Sequence, residues 1–230
     1  MSRPIRSYVL RQGRTTPAQQ RALEELLPKY GIPFQTGFLQ AEAIFGRRAP
    51  VVLEIGSGMG ETTAAIAQAH PEVDFIAVEV HGPGVGSLLN RIESLGLQNL
   101  KVIRHDALDV LAKMMPDESL AAIHLFFPDP WPKKRHHKRR LVQPEFASLA
   151  ARRLAPGGIL HAATDWPDYA DHIARVLAAE PWLEPAGAGL MARPATKFEA
   201  RGQRLGHPIH DLYYQRKAIT GPAGSPREAR

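Results

Sequence analysis

The sequence predicts a doubly wound α/β fold, a mostly parallel sheet with helices on both faces, and three observations predict it. From Val51 onward, short apolar runs alternate with helical patterns, the order that builds a parallel sheet. The runs show no polar–apolar alternation, as expected of strands buried on both faces. A glycine-rich turn, Gly56-Ser57-Gly58-Met59-Gly60, joins the first run to the first helical pattern. In open α/β sheets this is where backbone meets ligand.

Each element has its own reason. Residues 1 to about 16 read as a flexible basic arm. Thr16-Pro17-Ala18-Gln19 supplies a cap, a proline at the first helical position and a glutamine at the third, so a helix starts there. Its apolar face is Ala22, Leu23, Leu26 and Leu27, and Pro28 is expected to end it. Between 29 and 50, Pro33, Gly37 and Gly46 are breaks, with a short helix at 38–45 that packs on the core. Strands are expected at 51–55, 74–80, 100–104, 120–127 and 159–163, with a late one at 209–218. Helices are expected at 61–69, 85–95, 108–115, 143–154 and 169–179, the fourth stopped by the turn Pro156-Gly157-Gly158. The domain boundaries follow: an arm and helical extension at 1–50, one α/β domain at 51–218, and at 219–230 a tail that is disordered by composition.

Composition narrows the chemistry. The 230 residues include no cysteine, which removes disulfides, thiolate zinc sites and cysteine nucleophiles. No apolar run approaches ~20 residues, so no membrane span is expected. The opening Met-Ser-Arg-Pro-Ile-Arg lacks the apolar centre of a secretory signal, and a cytoplasmic protein is expected. The net charge is +6, and six of the 29 Lys and Arg lie between Lys133 and Arg140; the other 23 match the 23 acids. Basicity is therefore a local device. A weaker bias lies in Arg3, Arg6, Arg11, Arg14 and Arg21, which precede the first acid, Glu24. Both point to a polyanion, with nucleic acid as the expected partner.

The chemistry concentrates where the fourth strand ends. Phe127-Pro128-Asp129-Pro130-Trp131-Pro132 is followed by eight uninterrupted basic residues, Lys133, Lys134, Arg135, His136, His137, Lys138, Arg139 and Arg140. Prolines stop the strand and stiffen the chain, holding Asp129 at its C-terminal end. An Asp between prolines is commonly turn chemistry, and a basic run is commonly a solvated loop. A rigid carboxylate and a phosphate-seeking segment in one loop instead suggest chemistry on a nucleic acid.

A second constellation is a cofactor site. Gly56, Gly58 and Gly60 let the backbone turn sharply ahead of a helix N-terminus. Glu79 ends the second strand, nineteen residues past Gly60, where a carboxylate can accept ribose hydroxyls. Asp106 follows the third strand, toward an adenine edge. Glu54, two residues before the first glycine, repels a pyrophosphate and suits an amine-bearing ligand. S-adenosylmethionine, with its ammonium and sulfonium, fits better than NAD.

Glu54-Ile55-Gly56-Ser57-Gly58-Met59-Gly60, Glu79-Val80-His81-Gly82-Pro83-Gly84-Val85-Gly86 and the Pro-Asp-Pro-Trp-Pro segment with its basic run resemble the bacterial tRNA (guanine-N7-)-methyltransferases. Thr164-Asp165-Trp166, Thr196-Lys197-Phe198-Glu199, Arg201-Gly202 and Leu205-Gly206-His207 are similar to that family's pattern too. The resemblance spans roughly residues 46 to 217, and the arm at 6–14 is similar to proteobacterial members. It implies a seven-stranded, Rossmann-like class I methyltransferase domain that methylates N7 of the variable-loop guanine of tRNA, position 46 in tRNA numbering. It implies S-adenosylmethionine as methyl donor, no metal, no membrane and no obligate protein partner. By position, Glu54, Glu79, Asp106 and Asp129 line the cofactor site; Lys133, Asp165, Thr196, Lys197, Phe198 and Glu199 hold the substrate; and residues 135–140 hold the RNA. Asp129 is the candidate for stabilising charge on the guanine or for accepting its N1–H and N2–H, with Asp165 an alternative for the second task. Trp131 and Phe198 are the candidates for stacking on the base. An NAD-dependent oxidoreductase is disfavoured by the glycine spacing and the basic loop. A non-catalytic RNA-binding protein is disfavoured by Glu54 and Glu79.

Overall fold

The computed structural model describes residues 6–8, 13–188 and 208–218. The expected motif residues Thr196, Lys197, Phe198 and Glu199, those at 201–202 and 205–207, and the tail at 219–230 lie outside the described residues. Seven strands, β1 (Val51–Ile55), β2 (Asp74–Val78), β3 (Leu100–Ile103), β4 (Leu120–Phe126), β5 (Leu154–Thr164), β6 (Leu183–Pro185) and β7 (His210–Arg216), form one sheet in the order β3-β2-β1-β4-β5-β7-β6. β1 to β5 are mutually parallel, and β7 runs antiparallel to β5 and β6. Strand order reverses between β1 and β4, which opens a crevice at their C-terminal ends.

Both faces are covered, which is why the strands read as continuous apolar runs. On one face Leu53, Ile55, Ile76, Val78, Ile123 and Leu125 meet α6 (Ala107–Lys113), α7 (Pro144–Arg153) and α8 (Pro167–Ala178). On the other, Val52, Phe75, Ala77 and Val102 meet α1 (Pro17–Glu25), α4 (Glu61–Ala69) and α5 (Gly82–Leu95). α1 opens on the expected capping box, with Thr16 and Gln19 each accepting from the other's backbone N–H. α5 can lie close to α1 because position 86 is glycine; a Cβ there would come within 2.6 Å of the Gln19 carbonyl oxygen.

Four expectations need correction. Pro28 does not end the first helix, which stops at Glu25; it lies in the first turn of α2 (Leu27–Tyr30), where its missing N–H costs nothing. The fifth strand starts at Leu154, before Pro156-Gly157-Gly158, and the register shifts around that segment. Gly158 fits there between the carbonyl oxygens of Ala155 and Leu120, each 2.9 Å from where a Cβ would stand. The arm is not free throughout: Gly13 N donates to His81 Nε2 at 3.2 Å, and residues 6–8 are docked on the basic segment. The segment at 29–50, whose helix shrinks to α3 (Ala41–Phe45), also guards the β3 edge. Gly31 bridges Val102, and Ile32 N donates to the Val102 carbonyl at 2.8 Å. Among the described residues no helix is long and apolar enough to cross a membrane.

Candidate active site

The C-terminal ends of β1, β2 and β4 enclose a cavity of ≈ 220 Å³. Its wall includes Gly56 from the glycine turn, Glu79 after β2, His105 after β3, and Phe127, Pro128 and Asp129 after β4. Topology explains the gathering: parallel strands deliver all their C-terminal ends to one rim, and the order reversal at β1 and β4 leaves room between them.

The glycine turn is held open by its backbone. Gly56, Gly58 and Gly60 have φ of 75°, 55° and 75°, a left-handed region costly for other residues. A Cβ on Gly56 or Gly58 would meet nothing within 4 Å, so both glycines border open space. Glu79 anchors the turn. Its Oε2 accepts from Gly58 N at 2.8 Å, and its Oε1 accepts from the N–H groups of Val80 and His81, each at 2.8 Å. Glu54 lies beneath, 3% exposed. Its Oε1 accepts the Thr63 hydroxyl at 2.9 Å, while its Oε2 and the nearby Ser57 Oγ are buried with no hydrogen-bond partner. Burial pushes the Glu54 carboxyl up to about 7, against the lowering effect of Thr63 and helped by the charge of Glu79. A buried carboxyl with one unpaired oxygen has the chemistry to pair with a cationic group.

Asp129 is fixed by strain on both sides. Phe127 and Trp131, neither of them glycine, sit at φ 51° and 45°; such conformations cost roughly 1–3 kcal/mol each and persist only where the surroundings enforce them. The surroundings here are visible. Phe127 N donates to the Ala163 carbonyl at 2.7 Å, tying the kink to β5. Trp131 Nε1 donates to the Ser7 carbonyl at 3.0 Å, and the Arg139 guanidinium stacks 4.0 Å over its ring. Asp129 is thus exposed at the cavity mouth; the loss of water on its protein side raises its pKa, while Arg139 pulls the other way.

The basic octet is a 3-10 helix, Lys134–Arg139, rather than an open loop. It sorts its cations into two groups. Lys133, Lys134, Arg135 and Lys138 are exposed, and His136 and His137 are half-buried. Arg139 spends Nε and Nη2 on the carbonyls of Arg6 and Tyr8, each at 3.1 Å. Arg140 is 2% exposed. It donates to the Pro130 carbonyl at 2.9 Å, pairs with Asp168 at the start of α8, and covers the Tyr169 ring at 4.8 Å. Its guanidinium is thus taken up within the protein, clamping the proline segment to α8. Trp131 is likewise packed as part of the loop, with one ring face covered by Arg139.

The remaining expected residues divide. Gly56, Glu79 and Asp129 line the cavity, whereas Glu54 is buried within β1 and Gly58 and Gly60 lie in the turn after it, outside the lining. Asp106 is the N-cap of α6, accepting from Leu108 N at 2.9 Å. Lys133 caps the 3-10 helix, and half-buried Asp165 follows β5 on the same rim. Ser7, Tyr8 and Leu141 also line the cavity and were not expected. Nothing in the residues around positions 7 and 8 marks them as a wall, because the contact bridges more than a hundred residues of sequence.

Comparison with known proteins decides the family. A family model described as "Putative methyltransferase" matches residues 48–212. A tRNA (guanine-N(7)-)-methyltransferase of Nitrosospira multiformis is 58% identical over 219 residues, covering 94% of this chain and 96% of that protein. The enzyme of the same name from Nitrosomonas europaea is 59% identical, with 94% and 98% covered. The chain belongs to the tRNA (guanine-N7-)-methyltransferase family. Solved structures support the fold. The 16S rRNA methyltransferase KamB matches with a TM-score of 0.55 at 18% identity, covering 79% of this chain and 95% of that one. An rRNA methylase from Streptococcus thermophilus matches at 0.51 and 16%, covering 74% and 88%. For a member of this family, the expected seven-stranded class I methyltransferase sheet is the one observed.

Proposed function

We propose that this chain moves a methyl group from S-adenosylmethionine to N7 of the guanine at position 46 of tRNA. The observation that carries the reading is one rim bearing both halves of the reaction: a cation-seeking pocket at Glu54 and Glu79, and Asp129 leading straight into an exposed basic helix. The residues fit the cofactor. The unpaired Glu54 Oε2 suits its ammonium, and Glu79, already oriented by three backbone N–H groups, keeps one lone pair on Oε2 for a ribose hydroxyl. When bound, it supplies an electrophilic methyl on sulfur.

Guanine N7 carries an in-plane lone pair and no proton, so no general base is required. The protein's work is alignment, with the base drawn out of its stack and presented to the pocket. As positive charge moves onto the ring, a fixed carboxylate lowers the barrier, and Asp129, locked between two left-handed kinks, is that carboxylate. Asp165 is placed to accept guanine N–H groups from the neighbouring strand end. Lys133, Lys134, Arg135 and Lys138 hold phosphates, with His136 and His137 beside them.

Unmodified tRNA incubated with the enzyme and methyl-labelled cofactor should gain one methyl, at the variable-loop guanine, where reduction and aniline cleave the chain. A label at another base or another atom would refute the assignment. Glu79→Ala should weaken cofactor binding by ~1.5–3 kcal/mol, as for hydrogen bonds to charged groups, or about ten- to a hundredfold. Unchanged calorimetric affinity in a folded variant would remove Glu79 from the ribose site.

A further inference from the structure

Of the three tryptophans in the chain, two have a ring face already taken. Arg139 covers Trp131 at 4.0 Å, and Arg216 covers Trp182 at 4.2 Å. Trp166 differs. It is 37% exposed, and among the described residues its indole has no hydrogen bond, ring contact or cation against it. Its backbone, by contrast, is pinned. Trp166 N donates to the Oγ1 of buried Thr164 at 3.2 Å. As the N-cap of α8, its carbonyl accepts from Tyr169 N at 3.0 Å and from Ala170 N at 2.9 Å. Pro167 narrows its conformations further. A single exposed apolar side chain is ordinary; a large uncovered ring on fixed backbone at a functional rim is built as a binding anchor.

Its place in the fold names the partner. Two cross-links tie the proline segment to the end of β5 and the start of α8. Phe127 N donates to the Ala163 carbonyl at 2.7 Å, and Arg140 joins the Pro130 carbonyl to Asp168. Between these ties run Pro128 and Asp129 on one side, and Thr164, Asp165, Trp166 and Pro167 on the other. Asp129 and Trp166 therefore share one short stretch of rim. Trp166 lies outside the lining of the cofactor cavity, so a molecule bound there leaves its ring to the other reactant. Arg140 also brings the 3-10 helix, with exposed Lys134, Arg135 and Lys138, to the same turn of α8. A bare aromatic face beside phosphate-seeking cations is the arrangement that takes an unstacked nucleobase.

We propose that Trp166 is the stacking platform for the target guanine, and that its indole holds the base more tightly as methyl transfer proceeds. The N7 lone pair forms the new N–CH3 bond while the S–CH3 bond breaks, its electron pair returning to sulfur; no proton moves. Positive charge thus passes from sulfur to the purine ring. Indole is the best aromatic face for a cation, so the stack strengthens toward the transition state and speeds the step. Asp129 and Trp166 then answer the same charge, one with a carboxylate and one with a π face. The proposal rests on the reading of a tRNA guanine as the methyl acceptor.

The test uses the full chain with unmodified tRNA and with the same tRNA carrying an abasic nucleotide in place of the target guanosine. Intact tRNA should quench the parent's tryptophan emission more than abasic tRNA, and Trp166→Phe should lose that difference. Trp166→Leu should slow a single turnover at saturating tRNA and S-adenosylmethionine by roughly tenfold, the scale of one lost stack. Trp166→Phe, which keeps a smaller ring, should recover most of that rate. Trp166→Leu should also bind intact tRNA roughly tenfold more weakly and abasic tRNA as the parent does, a coupling that a merely structural residue would not show. Calorimetric affinity for S-adenosylhomocysteine should match the parent's in both variants. Should the Leu variant not fold, the quenching of the parent and of Trp166→Phe decides the matter. Equal quenching by the two tRNAs in the parent, or a difference retained in Trp166→Phe, overturns the proposal. So does an equal loss of affinity for both tRNAs in Trp166→Leu, or a rate within about twofold of the parent, well short of a lost stack. In each of these cases guanine methylation by the parent leaves the acceptor reading standing. A parent that methylates another base, or none, takes down that reading and the proposal with it.

Discussion

Asp129→Asn is expected to lower the single-turnover rate of methyl transfer by about 10²–10³, the usual loss when one preorganised electrostatic group is removed from a transition state. The substitution isolates charge. Asparagine keeps the size and most of the hydrogen bonding of aspartate, and it tolerates turn conformations at least as well. The kinks at Phe127 and Trp131 are enforced by Ala163, Ser7 and Arg139, none of which touches the Asp129 carboxyl through a described hydrogen bond. The loop should therefore keep its shape, and tRNA affinity should stay near the parent's. A loss confined to the maximal rate is the signature of an interaction made in the transition state. The measurement is a single turnover at saturating cofactor and tRNA. A rate within about threefold of the parent falls far short of the electrostatic effect and would make Asp129 a turn residue.

The sheet was legible because burial on both faces writes the strands as unbroken apolar runs: β1 and α4 fall on the expected residues, and β2, β3 and β4 end one or two residues early. The carboxylates were legible for a related reason. In a parallel sheet, Glu79 and Asp129 are marked simply by where apolar runs stop. What sequence did not carry is what depends on distant partners. β6 is three residues long and exists by pairing with β7. The left-handed backbone at Phe127 and Trp131 runs against the preferences of both residues, so only tertiary contacts reveal it. The octet looks uniform on paper, yet Arg139 and Arg140 are consumed internally, since a guanidinium can bind several carbonyls at once and lysine cannot. Asp106 shows a legible signal passed over: an Asp immediately before Ala107-Leu108 is a helix cap.

That internal division of the octet sets the second large effect. Replacing Lys133, Lys134, Arg135 and Lys138 together with alanine should weaken tRNA binding by up to about 10³ near 0.1 M salt. Each phosphate contact releases counterions worth ~0.7–0.9 in the log–log salt slope, and four contacts at that salt amount to about three decades. The same variant should keep its cofactor affinity and thermal midpoint, because all four side chains are exposed and take no part in the clamp on α8 or the arm. Arg140→Ala should do the reverse. It strips the Pro130 carbonyl and Asp168 of a buried partner, so it should lower stability by roughly 3–5 kcal/mol, the usual cost of breaking a buried ion pair from one side; Asp168 is itself largely exposed, which puts the expectation at the lower end. The salt dependence of tRNA affinity, read by filter binding for both variants, separates the two roles. A quadruple variant with the parent's slope would show that the exposed cations are only solvated, and an Arg140→Ala variant that is stable but has a shallower slope would return Arg140 to the RNA.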